Sequence, residues 1–177
     1  MKNPIFYLLA FSLSTMSAYA QIEIKTQPIL LAVKTASLGL EYGIKPHLGV
    51  EVEYQRFQNN SKNIFAYTAH VGFIGLKYYF IKDKDVALSN FYAGGYTSYM
   101  KGDSKKNTQT TPLTMYSFGG TGGYKGIFFN HLVLESGLNL GKRFVYEGDE
   151  PAKATTPTAK FFYAWDISLR LLVGYRF

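Results

Sequence analysis

The stretch at residues 161–177, FFYAWDISLRLLVGYRF, decides the fold. Every second residue of it is large and apolar: Phe161, Tyr163, Trp165, Ile167, Leu169, Leu171, Val173, Tyr175 and Phe177. The residues between include Ala164, Asp166, Ser168, Arg170, Gly174 and Arg176. A period of two is that of a β-strand, whose successive side chains point to opposite faces. This strand therefore has one bulky hydrocarbon face and one small or charged face.

The same alternation recurs upstream. Leu38, Leu40, Tyr42 and Ile44 form one such face, then Leu48, Val50, Val52 and Tyr54 after Lys45-Pro46. Phe65, Tyr67, Ala69, Val71 and Phe73 follow a polar break at residues 58–62, and Ile74, Leu76, Tyr78 and Phe80 continue at even positions. That change of phase predicts a β-bulge beside Gly72 or Gly75. Residues 91–101 read as a Tyr/Gly-rich strand of undetermined phase, and residues 102–112 as a polar loop. Tyr116 to Tyr124 and Leu132 to Tyr146 supply two further faces. With the C-terminal strand this makes seven from Ser37 onward. Single-chain membrane barrels close with an even number, and residues 22–33, turning near Lys34-Thr35, supply the eighth. The predicted fold is all-β, an eight-stranded antiparallel up-and-down transmembrane β-barrel.

Steric bulk orients the two faces. An eight-stranded barrel has an interior that ordinary side chains just fill, and nine large ones on a single strand would overfill it. The opposite faces carry Gly39, Gly43, Gly49, Gly72, Gly137, Gly141 and Gly174, which leave room for long charged neighbours. The apolar face is therefore expected outside, against lipid. A secreted lipocalin-like barrel would have the reverse orientation. Aromatic residues near the strand ends (Trp165 at one, Tyr175 and Phe177 at the other) fit interfacial girdles.

The 177 residues contain 15 Tyr, 14 Phe, 17 Gly and no Cys, so stability must come from a closed sheet and its surroundings rather than disulfides. Lys2, the apolar run from Ile5 to Leu13 and the small-x-small site Ala18-Tyr19-Ala20 predict a signal peptide over 1–20. The barrel then occupies 21–177. A formal charge of +7 suits contact with lipid phosphates. No nucleic-acid motif is present.

On the inward face the phases place Glu41, Glu51, Glu53, Glu135 and Asp166 against Lys77, Arg143, Arg170 and Arg176, with His70 as a hydrogen-bonding partner in the lumen. Charges in a narrow lumen must be paired, and the near balance argues for a closed, ion-paired interior. Two alternatives are a narrow channel, which would need an unbalanced lumen, and a lipid A-modifying enzyme. The deacylase type of such an enzyme needs a His and a Ser two apart, with a carboxylate orienting the ring. His131 precedes Leu132-Val133, His70 precedes Val71-Gly72, and His47 lies in a turn. No catalytic residues are assigned. Without cysteine or a close histidine pair, no metal or cofactor site is expected.

The ending Leu171, Val173, Tyr175, Phe177 resembles the C-terminal signature by which the barrel-assembly machinery recognises outer-membrane barrels. Residues 24–44, IKTQPILLAVKTASLGLEYGI, resemble the opening of a family of small outer-membrane barrels of unknown function. In that family, which is similar to OmpA-type, opacity-like eight-stranded barrels, a Lys-Thr-x-Pro/Leu strand leads into Leu-Gly-x-Glu-Tyr, here residues 38–42. Gln27 departs from it, standing where the family has Asn. The resemblance implies the cell outer membrane as location, lipid and lipopolysaccharide as surroundings, a monomer, and no particular activity. Lys101, Lys105, Lys106, Lys153 and Lys160 read first as solvated loop cations; the alternative, contact with lipopolysaccharide phosphates, needs them to face outward and is weakened by Asp149-Glu150.

Overall fold

A computed structural model describes residues 21–31, 34–59, 66–80, 86–106, 109–147 and 164–177. The expected signal peptide with Ala18 and Ala20, Phe161 and Tyr163, residues 82–85, and Lys153 and Lys160 lie outside the described residues. The strands are β1 (Ile22–Thr26), β2 (Thr35–Lys45), β3 (Leu48–Asn59), β4 (Ala66–Tyr79), β5 (Asn90–Lys106), β6 (Gln109–Phe128), β7 (Leu132–Glu147) and β8 (Trp165–Arg176). A short helix, α1 (Pro28–Leu31), follows β1.

Each strand pairs antiparallel with its sequence neighbour, and β8 returns to β1 through Glu23↔Arg176 to Thr26↔Val173. The sheet is a closed up-and-down barrel, so each strand has a partner on both sides. Both ends of the described chain lie at one mouth, the terminal end, with the turns after β2, β4 and β6. The opposite mouth is the distal end. No helix among the described residues is long and apolar enough to cross a membrane.

The bulky face of β8 points outward: Trp165 is 40 %, Leu169 67 % and Val173 36 % exposed. Leu38, Leu40, Val52, Ile74, Leu76, Phe118, Leu138 and Leu140 join them in a continuous outer belt. Inside, Gly39, Gly43, Gly49, Gly137 and Gly141 are buried. A Cβ on Gly49 would lie 2.6 Å from Glu41 Oε1, and one on Gly141 2.6 Å from the Tyr96 hydroxyl. Glycine at these positions is the space that charged and phenolic side chains occupy.

Four sequence expectations are corrected. The first strand does not run to Val33. It ends at Thr26, because Pro28 has no N–H for a ladder bond and opens α1. The β3–β4 register runs unbroken from Leu48↔Tyr78 to Asn59↔Tyr67, so there is no bulge at Gly72 or Gly75. Instead Val71 and Phe73 point into the lumen, where Phe73 stacks on Tyr96 at 5.4 Å between ring centroids. The expected slip was a change in what the inner face carries, from aromatic to charged. In consequence Gly72 and His70 are on the outer face. Finally, residues 102–112 are not a loop. The β5–β6 ladder continues from Asn90↔Lys125 to Lys106↔Gln109, giving strands of 17 and 20 residues where a tilted span needs about 9–11.

Candidate functional site

The lumen is filled by ionic layers, and the register explains how they fit. Lys25 lies opposite Gly39 on one side and Gly174 on the other. Lys77 lies between Gly49 and Gly94. Arg170 faces Gly137 and Asp166 faces Gly141. Each long charged side chain thus has a neighbour with no side chain to displace it.

Nearest the terminal end, the Arg176 guanidinium pairs with Glu23 and donates to the carbonyls of Ala87 at 2.8 Å and Leu88 at 3.2 Å. Leu88, at φ 50°, is only 1 % exposed and closes this mouth. Lys125 Nζ bridges Glu23 and Glu41, at 2.9 Å to each.

The centre is a cluster of three carboxylates and two ammonium groups. Glu41 and Glu51 are directly opposite across β2 and β3, an arrangement that repels unless a cation intervenes. Lys25 Nζ supplies one, at 2.5 Å from Glu41, 2.9 Å from Glu51 and 2.8 Å from Glu135. Lys77 Nζ supplies the second, at 3.2, 3.0 and 2.5 Å from the same three groups. The hydroxyls of Tyr79 and Tyr92 donate to Glu41 and Glu135 at 2.5 and 2.8 Å. Carboxylate oxygens of Glu41, Glu51 and Glu135 come within 4.8 Å of one another, a spacing a metal ion could use. The two lysines, with Lys125 on Glu41 and Arg170 on Glu51, already pair them, so the cluster is a salt-bridge core.

Above it, Arg170 reaches Glu51 at 2.8 Å and Glu53 at 2.7 Å, with its guanidinium 4.5 Å over the Phe73 ring. Gln27 and Gln55 donate to Glu53 at 2.7 and 2.9 Å. Nearer the distal mouth, Arg143 pairs with Asp166 at 2.8 Å, and the Tyr96 hydroxyl donates to Asp166 at 2.9 Å. Among the described residues five buried carboxylates are matched by five buried cations, and the part-buried Asp166–Arg143 pair is balanced too. Over Arg170 and Tyr96 lies a cavity of about 320 Å³, lined by Phe57, Val71, Phe73, Met100, Met115, Asn139, Arg143 and Asp166 among others. Gln27 and Arg170, which bond Glu53 in the ionic layer below, line it on that side.

Of the residues singled out from the sequence, Glu41, Glu51, Glu53, Lys77, Glu135, Arg170 and Arg176 meet in the buried lumen. Arg143 and Asp166 sit at its distal mouth. His70 does not belong: its ring lies on the outer wall, with Nδ1 2.5 Å from the Tyr54 hydroxyl. Leu171, Val173, Tyr175 and Phe177 all face outward towards the terminal end. Sequence reasoning missed Glu23, Lys25 and Lys125. The first two alternate with Ile22 and Ile24, a signal hidden by reading residues 22–33 as one strand. Lys125 follows outward-facing Tyr124 in a stretch whose glycines blur the alternation. The other two histidines are held at the terminal end. His47 Nδ1 is 3.1 Å from the Tyr79 carbonyl and His131 Nδ1 3.0 Å from the Arg176 carbonyl.

Known proteins share this architecture. The N-terminal β-barrel domain of Pseudomonas aeruginosa OprF superposes with a TM-score of 0.58 at 11% identity, over 89% of this chain and 96% of that one. Neisserial surface protein A (NspA) does so with a TM-score of 0.56 at 14% identity, over 90% and 96%. At such identities the likeness is one of fold. No curated protein matches the chain. A family model described as "Protein of unknown function (DUF3575)" matches residues 5–159.

Proposed function

The chain belongs to that family of unknown function, and we propose that it is an integral outer-membrane barrel with a sealed, ion-paired lumen and a structural or surface-interaction role. The observation that carries this reading is the lumen itself: among the described residues five buried cations and five buried carboxylates are paired beneath an outer wall of hydrocarbon side chains. A soluble carrier would bury the hydrocarbon and expose the charges. A conducting pore would leave an open path, whereas Lys25, Lys77, Arg170 and their partners block this one.

In this reading residues 1–20 are an export signal, and the terminal end faces the periplasm. Leu171, Val173, Tyr175 and Phe177 present the C-terminal strand to the assembly machinery. The long β5–β6 hairpin stands outside the cell, and the monomer needs no catalytic group. The contacts of the histidines favour this: His47 and His131 are tied to backbone carbonyls and stacked on Tyr78 and Tyr175, and His70 to a tyrosine.

Fractionation and planar-bilayer recording test the proposal together. The protein is expected in the outer-membrane pool, with gel mobility that changes on boiling, and without steady single-channel current. A large, stable current, or recovery in the soluble pool, would refute it.

A further inference from the structure

Arg56, His70 and Lys101 lie side by side on β3, β4 and β5, since Arg56 pairs with His70 and His70 with Lys101. All three are exposed on the outer wall. Neighbouring strands are about 4.8 Å apart, so two permanent cations flank an imidazole across about 10 Å. Among the described residues neither Arg56 nor Lys101 has a carboxylate partner. The row ends at Ala36 on one side and Thr114 on the other. The nearest outward acid is Asp103, one step further out on β5.

The row beneath it is aromatic with a gap. Tyr54 pairs with Gly72, and Gly72 with Tyr99. A Cβ on Gly72 would meet nothing within 4 Å, so the wall has a notch between two outward tyrosines. Below that, Val52, Ile74 and Phe118 begin the hydrocarbon belt. The cations therefore stand two steps beyond the belt, past the tyrosine row, where lipid headgroups begin. Lys142, across the barrel, is not part of the row: its ammonium lies over the Trp165 ring at 5.2 Å.

We propose that Arg56, His70 and Lys101 bind the phosphorylated sugar headgroup of the outer-leaflet glycolipid, lipid A, with an acyl chain lying over Gly72 between Tyr54 and Tyr99. Charge complementarity selects a phosphate at this height, and the notch selects a lipid over a free anion. This inference rests on the outer-membrane reading above and names its lipid partner.

The test uses the full refolded chain in detergent with bisphosphorylated, monophosphorylated and fully dephosphorylated lipid A, read by native mass spectrometry. Bisphosphorylated lipid A is expected to bind tightest. The double variant Arg56→Ala/Lys101→Ala should lose about 10- to 30-fold in affinity, as expected for two surface cations. Gly72→Leu should weaken the lipid by filling the notch, and Lys142→Ala should leave it within about twofold, having no part in the row. Equal binding of dephosphorylated lipid A, unchanged affinity in the double variant, or displacement by inorganic phosphate at equal concentration would each overturn the proposal. Fractionation of cells is scored separately. Wild type outside the outer membrane would defeat the location, whereas correctly located, heat-modifiable protein that ignores lipid A phosphates would defeat only this site.

Discussion

Lys25, like Lys77, meets three carboxylates at once, so the lumen depends heavily on it. Breaking a buried ion pair by removing one partner costs about 3–5 kcal/mol, because the partner's charge stays buried. Lys25→Met is expected to lose at least that much, measured as the shift in denaturant midpoint for the refolded protein. Gly49→Val makes a different demand. Its Cβ would fall 2.6 Å from Glu41 Oε1, and overpacking of this kind costs about 1–3 kcal/mol. The same unfolding measurement on Gly72→Val should show no comparable loss, since nothing stands near that position. At this scale the inward acids other than Glu23 were legible, because each alternates with a large apolar neighbour. Which cation each would meet was not, since Lys25 and Glu135 are 110 positions apart in the chain.

Among the elements, β7 and β8 test the lipid-facing wall. Leu138 pairs with Leu169 in mid-strand, and both are exposed. Arginine on the lipid face at the midplane costs about 2–4 kcal/mol. Leu138→Arg should therefore destabilise the barrel by that amount in bilayers, read from unfolding of protein folded into vesicles, and by much less in denaturant-free detergent. The β5–β6 hairpin is separable from the barrel by the same logic. Replacing residues 104–111 by Asn-Gly joins Asp103 to Pro112, which already pair, through a two-residue turn that suits antiparallel strands. The shortened protein is expected to keep its heat-dependent gel mobility. The strands with a clean period of two were readable in advance. The distal hairpin was not, because its polar residues 102–112 carry no hydrocarbon face to mark them as strand. The phase of β4 was misread because its lumen face changes from Val71 and Phe73 to Lys77, and a period of two cannot say which apolar residues are inside.

At the scale of the whole molecule, closure rests on a small element. β1 has five residues, yet it joins β2 to β8 and delivers Glu23 and Lys25 to the lumen. Deleting residues 21–27 should abolish the heat-modifiable form on gels, since it opens the sheet, leaves Arg176 without Glu23 and takes Lys25 from Glu41 and Glu51. A truncated chain that still shifted on boiling would show that the ladder from β2 to β8 closes by itself. The sequence by itself determined the architecture: alternation requires strands, bulk requires the hydrocarbon outside, and an even strand number requires eight. Only the tertiary structure decided the pairing inside and the patch outside. Lys25 meets Glu135, and Arg56 comes beside His70 and Lys101, because register across a closed sheet juxtaposes residues far apart in the chain, information no local pattern contains.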